Sequence, residues 1–162
     1  MRILGVDPGI HGGLAVIEMG RIDGSVHVII CTDIPVVGAG TKERVDVQAI
    51  RTLIRDHQPV RAVIERAGVM PRQGISSGFK YGRAVGAIEA AIMLCEIPLE
   101  IVEPAVWKRF FRLIGKDKEA SRLLAYQRLP SAHEYLKRKK DHGRAEACLL
   151  AVYAYGGSGP DS

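Results

Sequence analysis

Residues 1–17 constrain the fold more than any other stretch of this chain. Arg2-Ile3-Leu4-Gly5-Val6 is an apolar run that leads straight into Asp7-Pro8-Gly9, turns through Gly12-Gly13 and resumes as Leu14-Ala15-Val16-Ile17. Pro and Gly force a reversal here, so the pattern predicts a β-hairpin with Asp7 at the inner end of its first strand. A carboxylate in that position has two readings. It holds a cation, or it initiates the turn by accepting hydrogen bonds from nearby backbone N–H groups.

A third β-like run, 26–31, follows the turn signal Asp23-Gly24-Ser25, and the three strands make an antiparallel meander. The Gly- and Val-rich segment 35–41 reads as a loop. Over 46–57, Val47, Ile50, Leu53 and Ile54 recur at helical spacing, and Pro59 stops the helix. The short apolar run Arg61-Ala62-Val63-Ile64-Glu65 then suits a buried parallel strand. A strand–helix–strand crossover sets it beside the first strand. Glu65 thereby takes the place in its strand that Asp7 holds in the first, so both acids face the same end of the sheet.

A polar loop over 66–77 precedes a helix over 77–95 with Gly78, Gly82, Gly86 and Ala90 at intervals of four. Glycine within a helix costs roughly 1 kcal/mol relative to Ala, so the stripe needs a reason. It serves either tight packing on the sheet or a helix-to-helix seam between two copies. Another short strand, 99–102, is closed by Pro104. Trp107, Phe110 and Phe111 then alternate with Lys108, Arg109 and Arg112. That interleaving suits a nucleic-acid surface or the core side of an amphipathic helix. Lys116 and Lys118 precede a helix over 119–127, whose first N–H groups favour an anion. Lys137-Arg138-Lys139-Lys140 and the turn Asp141-His142-Gly143 lead into a last helix, 144–155. No linker or repeat divides the chain. The expectation is one α/β domain over 1–156, a five-stranded mixed sheet flanked by helices, with a flexible tail at 157–162.

Charge is unevenly spread. Between positions 104 and 144 there are 12 Lys or Arg against 4 Asp or Glu, whereas the remainder carries 11 against 14. This asymmetry points to nucleic acid, with a merely well-solvated helical surface as the alternative. No apolar run approaches the ~20 residues needed to span a bilayer, so no membrane association is expected. The N-terminus lacks the pattern of a signal peptide, which makes the cytoplasm or nucleoplasm the default and a bacterial cytoplasm the expected location, or a host's cytoplasm if the source is a phage. Cys31, Cys95 and Cys148 lie far apart in apolar stretches and read as buried reduced thiols, with no zinc-like spacing.

Four acids remain to be explained: Asp7 and Glu65 at strand ends, then Asp141 and Glu146 around the start of the last helix. Carboxylates are hard ligands suited to Mg²⁺ or Mn²⁺, and gathering several without a cation is costly. Two ions roughly 4 Å apart would activate a water and stabilise the leaving oxygen in phosphodiester cleavage. Glu146 sits among Ala145, Ala147, Cys148, Leu149 and Leu150, where a structural acid needs a partner. Arg144, two residues away, points elsewhere on a helix. Asp141 serves as a ligand or as the helix N-cap. His142 is the rival ligand, four residues before Glu146 on the same helical face.

Ile3-Leu4-Gly5-Val6-Asp7-Pro8-Gly9, Val63-Ile64-Glu65, Gly82-Arg83-Ala84-Val85-Gly86, Val106-Trp107-Lys108 and Asp141-His142-Gly143-Arg144-Ala145-Glu146-Ala147, in this order and spacing, resemble the RuvC family of Holliday-junction resolvases. These are nucleases of the RNase H-like superfamily, and the resemblance runs from residue 1 to about 155. It implies an RNase H-like fold, three antiparallel strands plus two parallel ones, and a homodimer that cuts two opposed strands of a four-way DNA junction with two Mg²⁺ or Mn²⁺ ions per site. Carried over by position, Asp7, Glu65 and Glu146 match the family's metal-binding acids, and Lys108 and Lys118 its basic residues near the scissile phosphate. The family's fourth ligand falls on Gly143, which cannot ligate. Asp141 is assigned in its place, with His142 as the alternative. Arg72, Lys80, Lys108, Arg109, Arg112, Lys116, Lys118, Lys139, Lys140 and Arg144 are assigned to DNA binding, largely through phosphates. The loop after Glu65 lacks the aromatic that some relatives push into the junction; Val69 and Met70 are apolar candidates for a similar wedge, or that function is missing. The alternatives are a nuclease for forks and flaps, and a junction-binding relative without catalysis. Whether a branch-migration motor partners the protein is not legible in the residues.

Overall fold

The N-terminal hairpin is β1 (Arg2–Asp7) and β2 (Gly13–Met19), and β3 (Val26–Asp33) completes the antiparallel meander in a computed structural model that describes residues 1–20, 24–66, 68 and 74–156. Segment 35–45, read from sequence partly as loop, contributes a two-stranded ribbon, β4 (Val36–Val37) with β5 (Arg44–Val45). Helix α1 (Val47–His57) starts where Asp46 accepts a hydrogen bond from the Ala49 N–H, and it ends at a left-handed Gln58 just before Pro59. The crossover then delivers β6 (Arg61–Glu65) parallel to β1. Helix α2 (Ile75–Met93) leads to β7 (Leu99–Val102), parallel to β6, and the sheet order is β3-β2-β1-β6-β7. The expected mixed sheet is therefore present. Helices α3 (Pro104–Phe110), α4 (Lys118–Arg128) and α5 (His142–Gly156) complete the chain.

Strand alternation sorts the core into two layers. Leu4, Val6, Leu14, Val16, Ala62 and Ile64 face α1 and α2, while Ile3, Ala15, Ile17 and Val63 face α5 and Trp107. Each fully buried aliphatic side chain contributes roughly 1.5–3 kcal/mol, and both faces of the central strands are covered, as parallel strands require. Asp7 shares its face with Ile3 and Gly5, and Glu65 shares its face with Val63. Both acids therefore emerge on the α5 side.

Helix α5 lies unusually close to the sheet. A Cβ on Gly5 would collide with the Ala147 carbonyl oxygen, and one on Gly13 would come within 2.6 Å of the Gly143 and Arg144 backbone. Small residues on both partners thus bring the helix down onto β1 and β2. The last helix begins at His142, two residues earlier than its sequence pattern predicts.

The glycine stripe does not pack on the sheet. Helix α2 buries Ala84, Val85, Ile88, Ala91 and Ile92, whereas Gly82, Gly86 and Ala90 are exposed. A Cβ on Gly82 or Gly86 would meet nothing within 4 Å. Cys31 and Cys148 are buried and reduced with sulfurs 3.6 Å apart, while Cys95 is half-buried. Among the described residues no helix is long and apolar enough to cross a membrane. Arg72, Val69, Met70 and the tail at 157–162 lie outside the described residues.

Candidate active site

The ends of β1 and β6, the first turns of α5 and the segment before α4 enclose a cleft of about 830 Å³, lined among others by Asp7, Glu65, Glu146, His142, Lys108, Lys116 and Lys118. The register explains the first pair. Val6 pairs with Ile64 in parallel, so one step further Asp7 and Glu65 leave neighbouring strands side by side. The close seat of α5 supplies the third acid, since Glu146 lies one residue from the helix–strand contact at Ala147. Gly143 shows how tight this is: a Cβ there would sit 3.0 Å from Asp7 Oδ2. A side chain at this position would require Asp7 or Gly12 to give by a few tenths of an ångström.

Each acid is held differently. Glu65 Oε2 accepts a 2.6 Å hydrogen bond from Nε1 of the fully buried Trp107, and Lys108 Nζ lies 3.9 Å from the same oxygen. Glu146 is 7 % exposed, and its Oε1 accepts a 3.2 Å hydrogen bond from the Ser121 hydroxyl on α4. Burial pushes the Asp7 carboxyl well above the ordinary carboxylate range. Glu146 and Glu65 add to the effect, and Lys118 and Lys108 oppose it only in part. Glu65 is raised by burial too, against the pull of Lys108 and the Trp107 hydrogen bond. Among the described residues no group of three or more His, Cys, Asp or Glu side chains closes tightly enough to hold a metal ion as it stands. The donor set is nevertheless of the hard-oxygen kind that takes divalent cations, and the like-charge burden on Asp7 is the sort a cation relieves.

Two assigned residues are occupied elsewhere. Asp141 is buried and turned away from the cleft into the turn that precedes α5. Its Oδ2 accepts from the Arg138 backbone N–H at 2.7 Å, and its Oδ1 accepts from Arg138 Nε and Nη2 at 2.9 and 2.6 Å. Burial acts to raise its carboxyl, but the Arg138 hydrogen bonds and the Arg138 and Arg144 charges outweigh it and leave the group below its usual value. Asp141 is thus a cap and an ion-pair partner, and its rival His142 is the residue that lines the cleft. Arg144, assigned to DNA, grips Asp33 with two hydrogen bonds of 2.7 and 2.9 Å and also donates to the Tyr135 carbonyl. Its guanidinium holds β3 to α5.

Among the described residues, the assigned cations other than Lys108 and Arg144 stand outside such networks. Lys80, Arg109, Arg112, Lys139 and Lys140 are exposed, and Lys116 and Lys118 are exposed at the cleft. The α4 N-terminus is already capped by Asp117, whose Oδ1 accepts from the Ala120 N–H at 2.9 Å. Trp107 and Phe111 belong to the core, and Phe110 is half-exposed against Phe111 and Tyr153. Trp107, Ser121 and Tyr81 escaped the sequence reading as site residues. Only Trp107 left a signal, a large aromatic one position before Lys108, and that position also suited a core residue.

No protein-family model matches the chain. A 51-residue segment, 31% of the chain, is 45% identical to the chloroplastic Holliday junction resolvase MOC1 of Chlamydomonas reinhardtii, of which the match takes in 6%. Among solved structures, Thermus thermophilus RuvC superposes with a TM-score of 0.68 at 20% identity, over 98% of both chains. The same protein in complex with Holliday junction substrate gives 0.71 at 19% identity, again over 98% of both. From β1 to α5, this chain has the RNase H-like fold of the RuvC Holliday junction resolvases.

Proposed function

We propose that this chain is a divalent-metal-dependent endodeoxyribonuclease that resolves four-way DNA junctions as a homodimer. The observation that carries the reading is the convergence of Asp7, Glu65 and Glu146, from three distant parts of the sequence, on one cleft rimmed by Lys108, Lys116 and Lys118. Three acids beside three cations make poor structural sense without ligands. They make good sense for a polyanion that arrives with metal ions.

Asp7, Glu65 and Glu146 would hold the Mg²⁺ or Mn²⁺, with His142 as the fourth candidate donor in place of Asp141. Bound there, the metal supplies an activated water and neutralises charge on the phosphate. The chain's own groups prepare the site. Trp107 and Ser121 fix the carboxylates of Glu65 and Glu146. Lys108, stacked over the Trp107 ring at 5.1 Å, stands ready to offset charge on the phosphate. Exposed Arg109, Arg112, Lys139 and Lys140 extend the grip along the backbone of the arms, a mode that depends steeply on salt.

The dimer rests on α2. Gly82, Gly86 and Ala90 share an exposed stripe with Ile75, Phe79 and Met93, which are 94%, 66% and 65% exposed. A small-residue groove flanked by large apolar side chains suits the same helix of a second copy across a two-fold axis. Nicking of a synthetic four-way junction by wild type and Asp7→Asn tests the proposal, with three-way and linear duplexes alongside. Junction cleavage by wild type alone, with binding retained in the variant, is expected. Equal activity of the two proteins would remove Asp7 from the chemistry, and equal cutting of three-way DNA would replace the junction by branched DNA in general.

A further inference from the structure

The buried face of α2 does not stop where the sheet stops. Ala84, Val85 and Ile88 pack on the strands, and one turn earlier the same face carries Tyr81 past the strand ends into the cleft. Its ring rests against the turn that follows Asp7: a Cβ on Gly9 would lie 3.1 Å from Tyr81 Cε2. Gly9 has φ +116°, so glycine both permits the turn and leaves space for the ring. Tyr81 is the only Phe, Tyr or Trp among the described residues of the cleft lining, and its hydroxyl makes no hydrogen bond to a described residue. A phenol that is half-buried in the cleft wall, braced on one side and without a hydrogen-bond partner among the described residues offers a donor to a ligand that enters the cleft.

We infer that Tyr81 is a substrate-contacting residue, whose hydroxyl donates a hydrogen bond to a backbone phosphate of the DNA strand lying beside Asp7 and Glu65. The inference deepens the nuclease reading and rests on it. The ring, held by the Gly9 turn, fixes the hydroxyl relative to Asp7, so the contact sets where along the strand the phosphate stops. Lys108 and Lys118 line the same cleft, so the phosphate would meet their charges as well as the hydroxyl.

Tyr81→Phe keeps the ring and removes only the donor. A hydrogen bond to a charged oxygen is worth about tenfold to hundredfold in rate. The variant is therefore expected to cut a four-way junction about tenfold or more slowly under single-turnover conditions, with an unchanged melting temperature and junction affinity within about threefold. The decisive arm places a single neutral methylphosphonate in turn at each phosphate flanking the cut. At one position it should slow the wild type markedly and the variant little further, a coupling that a packing role would not produce. Equal rates for wild type and Tyr81→Phe, or additive losses at every position, overturn the contact and leave the nuclease reading standing. No cleavage by the wild type overturns both.

Discussion

Asp7, half-buried, and Asp141, buried, both lie near the start of α5, and they live under opposite electrostatics. Asp7 faces Glu65 and Glu146 and is pushed up by burial and like charge. Asp141 is enclosed by Arg138 and approached by Arg144, which itself clasps Asp33, and it is held down. The second arrangement is complete within the chain: every charge has its counter-charge, and the group stabilises the fold it sits in. The first is incomplete within the described residues and tolerated at the cost of stability; under the proposed function, cations from outside would complete it. Sequence position does not reveal which kind of aspartate is which, but the partners do.

The comparison is broken most severely at Asp7. Asp7→Asn should lower junction cleavage by about 10³-fold or more, the several kcal/mol that metal-assisted chemistry supplies. The same variant should melt at a higher temperature than wild type in EDTA, because it removes a charge that desolvation and the neighbouring Glu146 and Glu65 disfavour. A lower melting temperature would place Asp7 among the structural acids. Asp141→Ala should do the reverse and destabilise by about 2–4 kcal/mol in urea unfolding, through the lost pair and the stranded Arg138, with cleavage retained under stabilising conditions. His142→Ala sharpens the distinction on the cleft side: the Mn²⁺ concentration for half-maximal cleavage should rise about tenfold, whereas Asp141→Asn should leave it unchanged.

Acid titration of stability separates the two regions in the mildest way. Asp7 and Glu65 ionise at higher pH in the folded protein than in the unfolded chain, where carboxyls titrate near ~4. Their contribution is present below that pH and is lost as pH rises through the folded values. Asp141 is depressed, so its contribution is present above ~4 and is lost as pH falls. Melting temperatures between about pH 3 and pH 7 in EDTA should therefore rise more steeply with pH for Asp7→Asn than for wild type, and less steeply for Asp141→Asn. Identical profiles for the three proteins would abolish the contrast.

How much of this was legible depends on the range of the interaction that decides it. Strand alternation and the handed crossover are local rules, so Asp7 and Glu65 could be set side by side from the residues alone. Glu146 stood out because an acid in an apolar helix needs a partner. The position of Asp141 is equally conspicuous in sequence, yet its role is set by a capping turn in which Arg138 reaches forward three residues. The partner of Arg144 is Asp33, 111 residues away. No spacing rule reports a contact of that separation. The β4–β5 ribbon was too short, at two residues per strand, to show periodicity.

The residues by themselves determined the mixed sheet, the carboxylates at its exit and the basic second half, because periodicity and turn chemistry act over a few positions. Only the tertiary structure decided which acids share the cleft, which arginine is spoken for, and which way the glycine stripe faces. Those outcomes depend on how closely α5 settles on Gly5 and Gly13 and on which face of α2 the sheet covers. Both are settled by packing between elements far apart in the chain, where the pattern of any one segment carries no information about its neighbour.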